Sequence, residues 1–311
     1  MKKKRLVRNL IIVIVFILII LLWEFVISNT ENIELANSRI YELTGWKSNF
    51  ESISETMLPR PSKILRTLLI VPINGRGGLA YFWRHTKTTL YGASLGFLFG
   101  NLLAMITATT FLFSKPLERG IMPIALALRS IPLVAISPLL LRIRFTLSSM
   151  DSITNNNLLS SLFGTDMFMK AVIVTILVYF PSLVNIARGL TSVSQPALEL
   201  MHTLHASRWQ VFWKMRVPTA LPLTFAALKV AASSAILGVI VAEWLSSSEG
   251  LGYVIYRSYG ESQIPRMMMA GILSSLIAVI TFFAVDLIQK WAIPWNPQVS
   301  KVNSIDRGRK C

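Results

Sequence analysis

The chain has 311 residues, 53% of them hydrophobic, with a mean hydropathy of +0.57 and a formal net charge of +16. That is too apolar for a soluble domain and long enough for several membrane spans. The basic residues sit largely at the ends and between apolar runs, the pattern of positive-inside topology and contact with anionic lipid, and no zinc-finger or other nucleic-acid motif accompanies them.

Residues 1–9 hold Lys2, Lys3, Lys4, Arg5 and Arg8, and an apolar run follows from Leu10 to Trp23, extended past Glu24 to Ile27. The run suits a first span with a cytoplasmic N-terminus, over residues 1–27. A secretory signal peptide is the alternative, but residues 24–30 offer no small-x-small cleavage site. Residues 28–88 are polar, mixed in charge and long for a loop, so an extracytoplasmic segment with structure of its own is expected. Within it LPRPSKILRTL (58–68) reads as a proline-stiffened piece running into an amphipathic helix at the outer interface.

The core is expected over residues 89–295, with five further spans. The second covers 89–113, where Gly92, Gly96 and Gly100 share one helix face and permit close packing. A basic loop follows at 114–119. The third span covers 121–141, interrupted by Pro123, Pro132 and Pro138. It contains Arg129, which is expected to face the protein interior or water, since a lipid-facing charge is costly. Residues 142–161 have loop composition. The fourth span covers 170–184 and is expected to be shortened by Pro181.

The stretch 196–222, PALELMHTLHASRWQVFWKMRVPTALP, is polar and lies inside a loop spanning 189–222. It reads as two short helices and a turn. Pro196 suits a first helical turn, Ser207 with Gln210 forms a capping box, and His205 with Ala206 makes the turn between them. Pro218 and Pro222 are expected to stop the second helix. The fifth span, 223–244, contains Lys229 and Glu243. Glu243 either faces the pathway or a gate, or is structural at the outer interface. Gly250 and Gly252 then bracket a turn, and Tyr253, Tyr256 and Tyr259 suit an interface. The sixth span, 267–291, contains Asp286, expected to pair with Lys290 at i+4. A basic tail, 296–311, should return to the cytoplasm. The only cysteine is Cys311, so no internal disulfide is possible.

Several of these phrases resemble one family. LPRPSKIL, LERGIMPIALALRSIPLVAISPLLL, VYFPSLVN and EGLGY are similar to phrases of integral-membrane permeases of type I ABC importers, in the nitrate/sulfonate/taurine branch. The central stretch resembles their cytoplasmic "EAA" coupling loop. Glu199, Leu200 and Met201 stand at the Glu-Ala-Ala positions, His205 stands at the expected Gly, and Ala206, Ser207, Arg208, Trp209 and Pro218 fix the register. Both alanines and the Gly are thus replaced, and His tolerates a left-handed turn better than most residues. Family members pass from PLLL almost directly to a WFG-like turn, so residues 142–161 resemble an insertion.

The resemblance implies an all-α, polytopic fold of about six spans. It implies two permease subunits, two cytoplasmic ATPases, an extracytoplasmic binding protein, and transport by alternating access. ATP would be bound by the partner subunit, and the permease would need no cofactor or metal. Leu200, Met201, Leu204, Trp209 and Phe212 are the expected anchors for the ATPase, unless they pack the loop against its own spans. Arg129, Glu243, Gly250, Gly252 and Tyr253 are candidates for the pathway or gate. AEWLSSSEGLGYVI resembles permeases for thiamine-precursor pyrimidines and riboflavin more than sulfonate importers. That ranks a vitamin-precursor heterocycle above an organic anion such as sulfonate, taurine or nitrate.

The residues themselves exclude other chemistry. There is no GxxxxGK(S/T) phosphate loop, no HExxH or CxxC spacing and no GxSxG motif. His85, His202 and His205 are scattered. An ATP-independent secondary transporter would need paired ion sites or broken-helix repeats, and no internal repeat is visible.

Overall fold

The computed structural model describes residues 14–15, 18–27, 58–69, 77–132, 135–136, 138–139, 142–143, 146 and 166–295. The basic start, most of the expected extracytoplasmic segment and of the 142–161 insertion, and the basic tail therefore lie outside the described residues. The helices are α1 (Leu18–Ile27), α2 (Pro61–Leu69), α3 (Gly78–Phe113), α4 (Lys115–Ser130), α5 (Asp166–Thr191), α6 (Gln195–Thr203), α7 (Arg208–Val211), α8 (Val217–Ser246), α9 (Leu251–Gly260) and α10 (Ile264–Ala292). A π-helical turn, Phe212–Arg216, joins α7 to α8. No strand occurs among the described residues. An apolar run that crosses lipid must satisfy its backbone internally, and a helix does so within one segment.

Four helical stretches are long and apolar enough to cross a membrane: Gly78–Phe113, Asp166–Thr191, Arg208–Leu245 and Ile264–Ala292. They contain the expected second, fourth, fifth and sixth spans and run beyond them, the helix of the second starting at Gly78 rather than 89 and that of the fifth at Arg208 rather than 223. For the first, the described helix is the ten-residue Leu18–Ile27. The expected third span is broken. α4 ends at Ser130, and Ile131 is extended at φ −72°, ψ 125°. Ile131 precedes Pro132, whose ring disfavours the α conformation in the residue before it.

Prolines elsewhere behave differently from expectation. α5 runs through Pro181 to Thr191 without a stop. A proline removes one N–H and crowds the carbonyl four residues back, but neighbouring helices and polar side chains can compensate within a membrane. Pro218 and Pro222 do not end a helix either, because both lie in α8. The π turn just before Pro218 widens the backbone where the ring would crowd the preceding turn.

The chain forms two compact units: residues up to Arg84 with Val254–Ile272, and His85–Tyr253 with the residues from Leu273. In the first unit, Glu24 receives the Ser62 N–H at 3.2 Å and the Ser62 hydroxyl at 2.7 Å. A carboxylate is thereby placed at the N-terminal end of α2, where the helix dipole favours it. Ile27, Ile64, Phe82 and Val254 are among the buried apolar anchors of this unit. After α9, Ser262 takes φ 56° and the Gln263 N–H bonds to the Ser258 carbonyl at 2.8 Å, closing a Schellman turn. Glu261 bridges Arg257 (2.7 Å) and Arg266 (3.0 Å) across that turn.

The second unit is built on α5 packed along α8. One apolar cluster joins Ala93 of α3, Val174 and Val178 of α5, and Ala231, Ala235 and Val239 of α8. Another joins Ala104, Ala108 and Phe111 of α3, Ala125 of α4, Leu183, Ile186 and Leu190 of α5, Ala220 of α8, and Phe212. Alanines recur in both clusters among larger aliphatic and aromatic residues, and such small residues let membrane helices approach closely. The glycine face of α3 serves this purpose. A Cβ at Gly96 would collide with the Val174 side chain, and one at Gly100 would lie 3.2 Å from the Val178 Cβ.

Candidate functional site

Two regions of the second unit carry the expected functional residues. They stand at opposite ends of α8.

At its start lies the α6–α7 loop. The Ala206 N–H bonds to the Met201 carbonyl and the His205 N–H to the His202 carbonyl, each at 3.0 Å. With His205 at φ 53°, these bonds make a complete Schellman turn, so His205 does hold the position a glycine normally takes. The capping box is also complete. The Gln210 N–H donates to Ser207 Oγ at 3.3 Å, and the Ser207 N–H donates to Gln210 Oε1 at 2.8 Å. Two local motifs thus fix the angle between α6 and α7 with no help from the rest of the chain.

The rigid turn presents Leu200, Leu204 and Trp209 at 59%, 67% and 64% exposure. Glu199, His205, Ser207 and Arg208 are exposed beside them, while Met201, Ala206 and Pro218 are half-buried. Phe212 departs from expectation. It is buried in one cluster with Leu183, Ile186 and Ala220, where it anchors the loop to its own spans. Trp209 and Trp213 both stack edge-on against it, with ring centroids 5.8 and 5.2 Å away. Arg216 donates to the Leu190 carbonyl at 3.0 Å, capping the C-terminal end of α5 and tying α8 to it.

At the far end of α8, Glu243 is fully buried. Its carboxylate accepts hydrogen bonds from the Thr89 hydroxyl (2.9 and 3.0 Å) and the Gly252 N–H (2.9 Å), and it pairs with Lys170 Nζ at 3.1 Å. Lys170, also buried, donates to the Glu249 carbonyl at 2.8 Å. Thr89 Oγ1 in turn receives the Leu251 N–H at 2.8 Å, and His85 Nδ1 receives the Gly250 N–H at 3.0 Å. An Nδ1 that accepts belongs to a neutral imidazole. Nearby, Asp166 receives the Ser248 hydroxyl at 3.1 Å.

These bonds pin the EGLGY turn to α3, α5 and α8 at once. Gly250, at φ 121°, lies against the Glu243 carboxylate, and a Cβ there would overlap it. A Cβ at Gly252 would meet the Ile240 carbonyl. Both glycines are therefore required by close approach, and Gly250 also by its backbone conformation. Tyr253, half-buried, stacks at a tilt on His85 with centroids 6.1 Å apart. Arg129 stands apart from this group: it is exposed in the last turn of α4, its guanidinium 5.4 Å from the centre of the Phe180 ring. Asp286 does pair with Lys290 (2.7 Å), and it also pairs with Lys229 of α8 (3.0 Å).

Lys170, Thr89 and His85 were not singled out by sequence reasoning. A signal existed for Lys170. A lone cation opening one apolar run and a lone carboxylate closing another each need a partner inside the membrane.

Among the described residues, then, helices carry a polar loop at one end of α8 and a buried ion pair at the other. Residues 100–294 match the family of binding-protein-dependent transport system inner membrane components, and the chain belongs to that family. It is an ABC importer permease, a multi-pass inner-membrane transport subunit and not an enzyme. A probable ABC transporter permease protein of Haemophilus influenzae is 32% identical over 66% of this chain and 76% of its own. The formylaminopyrimidine transport permease ThiX of Halalkalibacterium halodurans is 27% identical over 81% and 91%. A putative aliphatic sulfonates transport permease, SsuC of Bacillus subtilis, is 26% identical over 78% and 80%. Membership in this family leaves the ATP-independent alternative without support.

Proposed function

We propose that the chain is the translocation subunit of an importer whose cytoplasmic ATPase docks on the α6–α7 loop. The observation that carries this reading is the exposure of Leu200, Leu204 and Trp209 on a turn held rigid by its own backbone bonds. Buried aromatic and aliphatic anchors carry most interface energy, and a preorganised turn loses little entropy on docking. Glu199, exposed on α6, is available to a basic group of the partner. On this reading the loop faces the cytoplasm, as do both termini. The Glu243 end faces the binding protein, and two permease subunits enclose the pathway. Glu243, Gly250 and Gly252 act on that pathway by setting the position of Tyr253. Arg129 is the exposed candidate at its inner side.

The transported solute is a vitamin-precursor heterocycle, ranked above an organic anion. The AEWLSSSEGLGYVI phrase supports this ranking, as does the similarity to a permease named for formylaminopyrimidine. Similarity to a permease named for aliphatic sulfonates keeps the organic anion as the second reading.

Replacing Leu204 and Trp209 together by Ala tests the docking. The variant should insert and fold normally, yet co-purify with less ATPase and transport less. Full ATPase recovery with full transport would overturn the assignment.

A further inference from the structure

A cavity of about 370 Å³ lies between the end of α3 and the α6–α7 loop. Its floor is apolar, made by Leu112, Phe113 and Phe212 among others, and its polar lining comes from His202, Arg208 and Arg216. No acidic side chain lines it. Arg216 is half-buried and held by the Leu190 carbonyl, which uses one of the five N–H donors a guanidinium carries. Arg208 and His202 are exposed, and neither side chain has a partner among the described residues. The C-terminal end of α3 contributes only about half a negative charge. Two guanidinium groups outweigh it, so the cavity is electropositive.

The place matters as much as the charge. Phe113 ends a 36-residue helix about 54 Å long, well beyond the roughly 30 Å of a hydrocarbon core. Its apolar stretch ends at the cavity, so the cavity opens where the bilayer gives way to water. A ligand suited to it carries a phosphate for the guanidinium forks and an apolar body for the floor.

We infer that this cavity binds a phosphate-bearing anion, supplied by the headgroup of an anionic phospholipid, which bridges the end of α3 to the α6–α7 loop. The cavity shares Ala206 and Arg208 with the loop proposed to dock the ATPase, but its readout, lipid retention by the permease itself, is separate from ATPase recovery.

The test is native mass spectrometry of the full-length permease with dioleoylphosphatidylglycerol and, separately, dioleoylphosphatidylcholine. Arg208→Gln should weaken phosphatidylglycerol binding about fivefold, the factor for one cation near a membrane surface, and leave phosphatidylcholine binding unchanged. Arg119→Gln removes a charge that does not line the cavity, and should change neither. Equal losses in the two variants, or no loss in Arg208→Gln, would overturn the site. Inorganic phosphate is the second probe. Weak competition by phosphate supports the lipid, whereas full displacement of lipid at matched concentration would overturn the lipid as source.

Discussion

The sharpest consequence of the buried cluster concerns Lys170→Met. The substitution leaves the Glu243 carboxylate sealed in the bundle with the Thr89 hydroxyl and the Gly252 N–H but no counter-charge. It also leaves the Glu249 carbonyl without the Lys170 donor. Removing one member of a buried pair typically costs about 3–5 kcal/mol. At 1.4 kcal/mol per decade, that is roughly two to three and a half decades in the folded-to-unfolded ratio. Thr89→Val removes a neutral hydroxyl and should cost about 1–3 kcal/mol. The decisive comparison is Lys170→Met with Glu243→Leu. Replacing both charges by apolar groups of similar size is often neutral, so the double variant should recover most of the loss. Unfolding in mixed micelles, followed by tryptophan fluorescence, measures all five proteins: the parent, Lys170→Met, Thr89→Val, Glu243→Leu and the double variant. A Lys170→Met permease as stable as the parent would refute the reasoning. So would a double variant less stable than both single ones.

Two further outcomes follow from local geometry. His205→Gly relieves an L-residue from the left-handed region, a strain of about 1–2 kcal/mol, so amide exchange in residues 201–207 should slow. Faster exchange would mean that the His205 side chain contributes more than its backbone costs. The second concerns pH. The Arg257 hydrogen bond, aided by the charges of Arg257 and Arg266, lowers the Glu261 carboxyl below its ordinary 4.5 against an opposing effect of burial. A depressed folded-state value stabilises above the unfolded value, and the benefit is lost as pH falls through the folded one. The pair is exposed, so its worth is at most about 1 kcal/mol. Glu261→Gln should therefore lower stability slightly at neutral pH and flatten the acid side of the stability curve below about pH 4.5. An unchanged acid limb would show that the pairing contributes nothing.

Much of this architecture is legible from residues that act locally. The Ser207–Gln210 capping box and the turn at His205 depend on neighbours within a few positions, and both form as their spacing implies. The glycine row of α3 is legible for a similar reason, since its period alone fixes one face. Prolines mislead because their effect depends on surroundings. Pro181 and Pro222 sit inside helices that neighbours support, whereas Pro132 follows Ile131, the first residue beyond the end of α4. Phe212 looks like any other loop aromatic until the packing of α5 shows which way it points. The Glu243 cluster is least legible of all. Its partners Thr89 and Lys170 lie 154 and 73 positions away in the chain, and only the helix packing brings them together.

The π turn at Phe212–Arg216 has a mechanical consequence. Pro218 and Pro222 each withhold an N–H from the backbone ladder, so the first turns of α8 are its most compliant section. From Ala231 to Val239 the same helix is braced on α5 by close-packed alanine and branched aliphatic contacts, and its ladder has no further proline. A torque applied beside the loop therefore bends the segment around Pro218. Beyond Pro222 the helix is held by its packing on α5, and Glu243 stays in the grip of Lys170 and Thr89.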